Sequence, residues 1–349
     1  MRVLVVGGTG FIGPHVVRRL AARGHEVTLF HRGRAEADVP PSVSHVHGDR
    51  SQLPDFRDAF RRLAPDVVLD MRSLSEADAL AVAAAVRGIT RRLVAISSLD
   101  VYRAYGRLIG TEQGPPDPIP TTEKSPLRER LFPYRIEPAR GPDDPSRWMD
   151  DYDKILVERV VLGDPATPGT ILRLPMVHGP GDNQHRLFPY LKRMDDARPA
   201  ILVSAANAAW HAPRGYVENV ADAIALAVTD DRAAGKVYNV GEPDALSEAE
   251  WIHAIWQETG WQGEVVTLPA ERLPESMRDG LNFSQDWIVD STGIRQDLGF
   301  TEKVPRAEGL RRTIAWERAN PPSPLDPTDF DYATEDEVLG TVGRADHSA

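Results

Sequence analysis

The start of the chain constrains the fold more than any other feature of the sequence. The apolar run from Val3 to Val6 leads directly into GGTGFIG at Gly7 to Gly13, and Val16 and Leu20 follow at helical spacing. A strand, a glycine-rich turn and a helix in this order are typical of α/β proteins that bind dinucleotides. A plain glycine turn is the alternative interpretation.

The glycines of this loop have predicted mechanical roles. Gly7 permits the tight turn at the end of the strand, Gly10 lets a pyrophosphate approach the backbone, and Gly13 lets helix and strand pack closely. We therefore predict a dinucleotide on this loop and on the helix that follows it.

The order of elements predicts a doubly wound α/β fold. Short β-branched runs alternate with helical periods, which is typical of a parallel sheet covered by helices. A smaller, mostly helical C-terminal cap would complete the substrate site. We predict strands at residues 2–6, 26–30, 66–70, 92–97, 170–174 and 236–240.

Two domains are predicted from these patterns. Residues 1–180 form the dinucleotide-binding domain of the Rossmann type, and residues 181–320 form the substrate-binding cap. A segment at about 215–241 returns to the first domain. Within the cap, Ser247 and Glu250 form a capping box that predicts the start of a helix.

Two proline-rich segments break the alternation. Nine prolines lie between Pro115 and Pro145. Because proline lacks the amide donor of a helix or sheet, we predict that residues 114–145 leave the sheet as an ordered excursion that closes over the substrate. A solvated linker is the alternative. Residues 321–349 form an acidic, proline-rich tail that we expect on the surface or disordered.

Composition narrows the range of partners. Among 349 residues, Lys+Arg 41 and Asp+Glu 52 give a net charge of −11, so we predict that the chain binds neither nucleic acid nor membranes. The absence of cysteine excludes disulfides and thiolate chemistry. The run MRVLVV is too short for a signal peptide, and no window approaches about 18 apolar residues, so we expect a cytoplasmic location.

The end of the second predicted strand indicates the cofactor. In NAD sites this strand usually ends in an acid that binds the adenosine ribose. Here it ends in His31, Arg32, Gly33 and Arg34. Two guanidinium groups suit a 2′-phosphate, so NADP is favoured over NAD. A solvated basic loop is the alternative.

Several motifs in order make the chain resemble a known family. They are GGTGFIG at Gly7 to Gly13, Gly48 with Asp49, SSLDVY at Ser97 to Tyr102, KILVERVV at Lys154 to Val161, RLPMVHGPGD at Arg173 to Asp182, and VYNVG at Val237 to Gly241. Over roughly residues 1–315, the chain resembles the extended short-chain dehydrogenase/reductase family, which contains UDP-galactose 4-epimerase and many nucleotide-sugar dehydratases.

The resemblance implies the residues of the site. It places Ser98 at the hydroxyl that polarises the substrate oxygen and Lys154 at the lysine that binds the nicotinamide ribose. In this family, a tyrosine one helical turn before the lysine moves a proton while nicotinamide exchanges a hydride. The cofactor residues predicted from the resemblance and from the second strand are Gly7, Thr9, Gly10, Phe11, Ile12, Gly13, His31, Arg32, Arg34, Asp49, Arg50, Met71, Lys154 and Pro175.

The chain departs from the family at the position of that tyrosine. Asp150 stands four residues before Lys154, where it would either form an i, i+4 ion pair or act as the acid or base. Tyr152 stands two residues before the lysine, about 200° around a regular helix, and reaches the site only if the first turn is irregular. Further candidates are Tyr102, Tyr105 and Tyr134.

A second departure concerns the substrate. Met176 stands where nucleotide-sugar enzymes of the family carry an asparagine that holds the diphosphate, and a thioether cannot replace that amide. Neither His178 nor His185 has the spacing of a metal site, so we expect no metal. Cations that remain available for an anionic substrate are Arg186, Lys192, Arg193 and Arg214.

Two functions follow from these observations. The resemblance implies an NAD(P)-dependent oxidoreductase, epimerase or dehydratase that acts by hydride transfer on a hydroxyl or carbonyl of a polar small molecule. Without the usual tyrosine, a non-catalytic dinucleotide-binding sensor or scaffold is the alternative. A homodimer is among the states that the sequence allows.

Overall fold

The computed structural model describes residues 1–33 and 38–345, so Arg34 lies outside the described residues. Within these ranges every helix is too short or too polar to pass through a membrane. The strands are β1 (Arg2–Val6), β2 (Glu26–His31), β3 (Ser44–His47), β4 (Val67–Asp70), β5 (Arg92–Ser98), β6 (Gly169–Leu174), β7 (Met176–His178), β8 (Ala200–Ser204), β9 (Arg214–Tyr216), β10 (Val237–Asn239) and β11 (Glu264–Leu268). The α-helices are α1 (Gly13–Ala22), α2 (Arg57–Leu63), α3 (Glu76–Val86), α4 (Arg103–Leu108), α5 (Lys154–Leu162), α6 (Phe188–Asp195), α7 (Ala205–Ala209), α8 (Val217–Thr229), α9 (Glu248–Thr259), α10 (Thr292–Leu298), α11 (Arg306–Ala319) and α12 (Tyr332–Ala345).

A seven-stranded sheet forms the centre of the molecule, with the order β10-β6-β5-β4-β1-β2-β3 and parallel pairing throughout. Successive side chains of β1 face opposite sides: Val3 and Val5 pack with α1 and α8, whereas Leu4 and Val6 pack with α2, α3 and α5. Both faces are therefore buried, and the predicted doubly wound α/β fold is confirmed.

One strand of this sheet was missed by sequence analysis. All six predicted strands are present, but β3 was not predicted, because Val46 is its only apolar residue and its other three side chains are exposed. It lies at the edge of the sheet beside β2. A strand with one exposed face and no alternation of several apolar residues leaves little pattern to read.

The proline-rich segment 114–145 is folded against the rest of the chain. It contains neither helix nor strand in the described chain, yet Leu127 pairs with Tyr102 and Thr121 pairs with Val289 in isolated bridges. The segment thus makes specific backbone contacts with Tyr102 and with Val289, at two places far apart in the sequence. Closure over a substrate stays a prediction.

The cap is mostly helical, as predicted. Its core lies between the parallel pair β8 and β11 and the helices α6, α7, α9 and α11. Ser247 and Glu250 form the expected capping box at the start of α9, with Glu250 N donating to Ser247 Oγ at 3.2 Å and Ser247 N donating to Glu250 at 2.8 Å. Trp251, Ile252 and Ile255 of this helix are buried.

The described part of the C-terminal tail contains helix α12, and most of its residues are exposed, so a surface position is the one of the two expected states that the structure shows. Glu335 is buried and pairs with Arg193 of α6 at 2.6 Å. Val338, Leu339 and Val342 lie at helical spacing on α12 and pack on a small apolar cluster of the cap. These three residues offset the polar composition of the segment.

Candidate active site

A cavity of about 620 Å³ opens where β1, β2 and β4 end. Ligands of open parallel sheets bind at the carboxyl ends of strands. Its lining includes Leu74, Ser75 and Asp78 of the segment after β4. The predicted cofactor residues that line it are Gly7, Thr9, Gly10, Phe11, Ile12, Gly13, His31, Arg32, Asp49, Arg50 and Met71.

The glycine loop fits a dinucleotide. Gly7 has a φ of +81°, in the left-handed region that favours glycine. A Cβ on Gly13 would lie 2.3 Å from the carbonyl oxygen of Gly8, so only glycine allows this close packing. A Cβ on Gly10 would meet nothing within 4 Å, which leaves open space at the N-terminus of α1, where a pyrophosphate is favoured.

Arginine and histidine stand at the end of β2. His31 and Arg32 line the cavity, and Arg32 is exposed. The second predicted guanidinium, Arg34, lies outside the described residues. Asp49 accepts a hydrogen bond from Ser51 N at 2.9 Å at the start of the next helical turn.

Arg50 is held by acids inside the cavity. It pairs with Asp70 at 3.0 Å and with Asp78 at 3.3 Å. Burial raises the pKa of Asp70, but the charge and hydrogen bonds of Arg50 outweigh it and leave the pKa low. Arg50 is therefore neutralised by carboxylates, and it ties the ends of β3 and β4 together.

The segment before α5 contributes two residues of the lining that sequence analysis missed. Trp148 and Asp151 line the cavity, and the Trp148 ring meets the Tyr152 ring edge-on at 5.9 Å between centroids. Both residues belong to an irregular stretch whose path depends on tertiary contacts, so no periodic signal placed them here.

A buried cluster of hydroxyl groups surrounds Asp100, just beyond β5. Tyr152 Oη donates to Asp100 Oδ2 at 2.7 Å, and Tyr134 Oη donates to the same oxygen at 3.2 Å. The hydroxyls of Tyr134 and Tyr105 lie 2.8 Å apart. Ser98, at the end of β5, accepts from Asp100 N at 3.2 Å. The structure thus brings together Ser98, Asp100 and three tyrosines.

Tyr152 reaches this cluster because it lies outside helix α5. Asp153 is extended, with a φ of −160°, and caps the helix by accepting from Ile155 N at 2.8 Å. The helix therefore begins at Lys154, and the angular spacing of a regular helix does not apply to Tyr152. Tyr152 thus reaches the cluster from before the helix, and not through the irregular first turn that sequence analysis considered.

Lys154 is buried below the cluster. Its Nζ donates to the carbonyl oxygens of Ser73 at 2.5 Å and Ile96 at 3.0 Å, and lies 6.0 Å from the centroid of the Tyr152 ring. Burial lowers the pKa of Lys154 to about 8, although the charges of Asp70 and Asp100 partly offset it. Lys154 is not among the residues that line the cavity.

The predicted ion pair between Asp150 and Lys154 is wrong. Asp150 pairs instead with Arg140 and, at 3.5 Å, with Arg147. Burial raises its pKa, but the hydrogen bonds of Arg140 and the charge of Arg147 outweigh this and lower it. A short 3-10 helix ends at Asp150 and α5 begins only at Lys154, so no continuous helix provides the i, i+4 geometry here.

Asp100 is the main functional candidate that sequence analysis missed. Burial raises its pKa, and the hydrogen bond of Tyr152 only partly offsets this. Its Oδ1 is buried without a hydrogen-bond partner among the described residues. An acid two residues after Ser98, within a buried strand end, was the available signal.

Two other predicted site residues, Tyr102 and Pro175, are packed within the fold and away from the hydroxyl cluster. Tyr102 donates to Asn239 at 2.6 Å and accepts from Arg173 at 2.7 Å, and burial raises its pKa to about 12. Pro175 does not line the cavity. It packs beside Gly215, since a Cβ added to Gly215 would lie 3.1 Å from Cγ of the Pro175 ring. Neither residue belongs to the hydroxyl cluster.

A second cavity of about 280 Å³ lies in the cap. Its lining combines Met176, Arg214 and Glu248 with the aromatic residues Tyr190, Trp210, Trp251 and Phe283. Each cation that sequence analysis kept for an anionic substrate is paired with a carboxylate. These pairs are Arg186 with Asp182, Lys192 with Asp196, Arg193 with Glu335, and Arg214 with Glu248.

Comparison with known proteins identifies the family. Residues 3–241 match the NAD dependent epimerase/dehydratase family. The chain is 28% identical over 320 residues to 2′-dehydrokanamycin reductase from Streptomyces kanamyceticus, covering 87% of this chain and 79% of the relative. It is 29% identical over 332 residues to dTDP-6-deoxy-L-talose 4-dehydrogenase (NAD(P)(+)) from Kitasatospora kifunensis, covering 89% and 93% respectively.

A solved structure agrees in fold. The UDP-glucose 4-epimerase of Thermotoga maritima, solved with UDP-glucose, gives a TM-score of 0.67 at 19% identity over 91% of this chain and 99% of its own. The family match runs from β1 to beyond β10 and covers more than half of the chain. The chain therefore belongs to the NAD dependent epimerase/dehydratase family, as an NAD(P)-dependent enzyme that transfers hydride to or from a polar small molecule.

Proposed function

We propose that this enzyme is an NADP-dependent reductase of a ketone on a polar, uncharged small molecule, with Tyr152 as the proton donor. The observation that carries the proposal is the buried hydrogen bond from Tyr152 Oη to Asp100, at 2.7 Å, beside Ser98. It supplies the phenol that is missing from the usual position of the family.

The protonation of Tyr152 favours an acid. Burial and the Asp100 charge raise its pKa well above the ordinary value, and a hydrogen bond with Ser98 lowers it only in part. At neutral pH the phenol is protonated and can give a proton to a developing alkoxide. An epimerase or a dehydrogenase would instead begin by removing a proton from a substrate hydroxyl.

The residues of the cluster then have separate roles. When bound, the nicotinamide supplies a hydride to the carbonyl carbon. Tyr152 gives its proton to the carbonyl oxygen, and the Ser98 hydroxyl donates a hydrogen bond to the same oxygen. The charged Lys154, 6.0 Å from the ring centroid, stabilises the phenolate that remains.

A chain of hydroxyls is arranged to restore the proton. Asp100 accepts from both Tyr152 and Tyr134, and Tyr134 shares a hydrogen bond with Tyr105. Asp100 takes a proton from Tyr134 and passes it to the Tyr152 phenolate, Tyr105 returns a proton to Tyr134, and solvent returns one to the half-buried Tyr105. The raised pKa of Asp100 makes its protonated form accessible.

The cap cavity supports an uncharged substrate. Its aromatic walls suit the apolar faces of a sugar or glycoside ring, while Arg214 is neutralised by Glu248 and stacks 4.5 Å above the Trp251 ring. Met176 stands in the position of the diphosphate-binding asparagine. A relative whose name states a reductase, the 2′-dehydrokanamycin reductase, accords with this direction of reaction.

The NADP preference rests on Arg32. This exposed guanidinium lines the cavity at the end of β2, where it can form charge-assisted bonds to a 2′-phosphate. The family name and the relatives support a nicotinamide cofactor in general.

Deuterium transfer tests the reaction type. The enzyme is mixed with stereospecifically 4-deuterated NADPH and a panel of keto sugars and keto glycosides, and products are examined by mass spectrometry. Net reduction consumes one NADPH, and with one of the two C4-labelled stereoisomers it places one deuterium in the product. Interconversion of sugars without net NADPH consumption would overturn the proposal in favour of hydride-neutral chemistry.

A further inference from the structure

Three imidazoles meet beside the edge of the main sheet. His31 on β2 and His45 and His47 on β3 each offer a ring nitrogen, and these nitrogens all lie within 4.8 Å of one another. His31 Nε2 lies 2.8 Å from His45 Nδ1. The His31 ring meets the His47 ring nearly at right angles, with 4.8 Å between centroids.

Strand pairing accounts for this arrangement. His31 is the register partner of His47 across the parallel pair of β2 and β3. His45 lies two residues before His47, so both project from the same face of β3. The backbone ladder therefore fixes the places from which the three side chains project.

We propose that His31, His45 and His47 form a binding site for a divalent transition-metal ion of the zinc class. A Zn²⁺ ion binds imidazole nitrogens at about 2.0–2.1 Å in tetrahedral geometry, which separates the ligand nitrogens by roughly 3.3 Å. The closest pair here must open slightly and the farthest must close. His45 and His47 are exposed and can turn to do so.

The donor set determines which ions fit. Neutral imidazole binds Zn²⁺, Cu²⁺ and Ni²⁺, whereas Mg²⁺ and Ca²⁺ require oxygen ligands. Gly33 N donates to His31 Nδ1 at 3.3 Å, and Nε2 lies 2.8 Å from His45 Nδ1. Binding of the ion through Nε2 therefore places the ring proton on Nδ1 and releases the long contact with Gly33. Three protein ligands leave a fourth position for water or another donor.

The position of the site indicates a structural role. β3 is the edge strand, and Val46 is its only apolar side chain, itself half-buried. Little apolar packing holds this strand, so an ion that bridges β2 and β3 would stabilise the edge of the sheet. His31 also lines the cofactor cavity, so the ion would lie at its rim.

Zinc titration tests this proposal. The full chain is freed of metal with EDTA, and Zn²⁺ alone is titrated in competition with a chromophoric chelator. We expect one Zn²⁺ per chain, a higher Tm with Zn²⁺, and visible absorption bands of tetrahedral Co²⁺ when Co²⁺ replaces Zn²⁺. Mg²⁺ is expected to leave the Tm unchanged.

Variants of the exposed ligands provide the controls. His45→Ala and His47→Ala should each weaken Zn²⁺ binding at least tenfold, and the double variant should lose both the Tm increase and the Co²⁺ bands. His253→Ala, at an exposed histidine on α9, should bind Zn²⁺ like the wild type. Far-UV circular dichroism checks that the variants are folded. Equal Zn²⁺ affinity in the wild type and the double variant would overturn the proposal and leave only a hydrogen-bonded ring cluster.

Discussion

Asp100 and Asp150 are both buried acids, but the pKa of the two carboxyl groups is shifted in opposite directions. Asp100 is 5% exposed and accepts hydrogen bonds from two tyrosine hydroxyls. Asp150 is 1% exposed and pairs with two arginines. Burial raises the pKa of both carboxyl groups. At Asp150 the two arginines outweigh this effect and lower the pKa, whereas at Asp100 the tyrosine hydroxyls do not, and the pKa stays raised.

The difference shows that the partners, and not burial, decide which carboxyl group is available for proton transfer. An acid bound by cations has a lowered pKa, so it stays an anion at neutral pH and organises the backbone around it. An acid bound by neutral hydroxyls can take up and release a proton. Asp150 thus secures the turn before α5, and Asp100 is placed to serve the phenol.

Removing the phenol should have the largest effect. Tyr152→Phe removes the proposed proton donor, and we expect kcat to fall about 10³-fold, within the range for general acid catalysis. NADPH affinity, measured by fluorescence, should be unchanged. Tyr105→Phe, at the far end of the hydroxyl chain, is the matched control and should be mild. If Tyr105→Phe were as inactive as Tyr152→Phe, the roles along the chain would need to be reassigned.

Replacing each of the two acids by its neutral amide tests which carboxyl group transfers a proton. Asp100→Asn cannot relay a proton, and we expect kcat to fall about 10²-fold. Asp150→Asn should leave kcat within a few fold, because its carboxylate bonds to arginines. Steady-state rates of both variants on one substrate decide between them. The reverse order would make Asp150 the acid.

The charge of Lys154 should appear in the pH profile. With a pKa of about 8, the lysine loses its proton above that pH and no longer stabilises the phenolate of Tyr152. The rate of ketone reduction should therefore fall about tenfold per pH unit well above 8. In Lys154→Arg the charge persists, so the residual activity should lack this limb. A wild-type rate that is flat from pH 7 to 10 would contradict this role.

The cofactor preference should change by a smaller factor. The wild type should bind NADPH about tenfold more tightly than NADH, which is the effect of one good charge-assisted contact. Arg32→Asp should reverse the order. Fluorescence titration of both cofactors into both proteins measures this. A wild type that prefers NADH would show that Arg32 is a solvated surface residue.

The smallest effect concerns stability at Asp150. Its folded-state pKa is lowered, so its ion pairs stabilise the protein above the unfolded pKa of about 3.9 and are lost as pH falls through the folded value. Asp150→Asn should lower the Tm at pH 7, and the difference from wild type should shrink at pH 3. Calorimetry at both pH values tests the sign. A difference that grows at low pH would contradict it.

Regular elements were predictable, and irregular ones were not. The glycine loop, the parallel strands and the capping box of α9 follow from local patterns, because hydrophobic periodicity and special backbone geometry are written in neighbouring residues. β3 escaped because it carries one apolar residue, and α12 was hidden by the composition of the tail.

The residues of the site also divide into those that local sequence patterns predict and those that they do not. The residues predicted to bind the cofactor at the ends of β1 and β2 lie where the sheet must put them, and they line the cavity there. Asp100, Trp148 and the inward position of Tyr152 depend on the path of the excursion and of the turn before α5. That path results from contacts between residues far apart in the sequence, such as Tyr134 with Asp100, and no local periodicity encodes it.

The carboxylate of Asp153, at the N-terminus of helix α5, also binds the excursion. Asp153 accepts from Ile155 N of the helix and from Phe132 N of the excursion at 2.7 Å, and it pairs with the fully buried Arg128. One carboxylate therefore joins the excursion to the start of the helix that carries Lys154. A displacement of the excursion breaks these bonds and also takes Tyr134 away from Asp100. In the proposed mechanism, the hydroxyl chain that returns a proton to Tyr152 is therefore complete only while the excursion is in place, because Tyr134 belongs to the excursion.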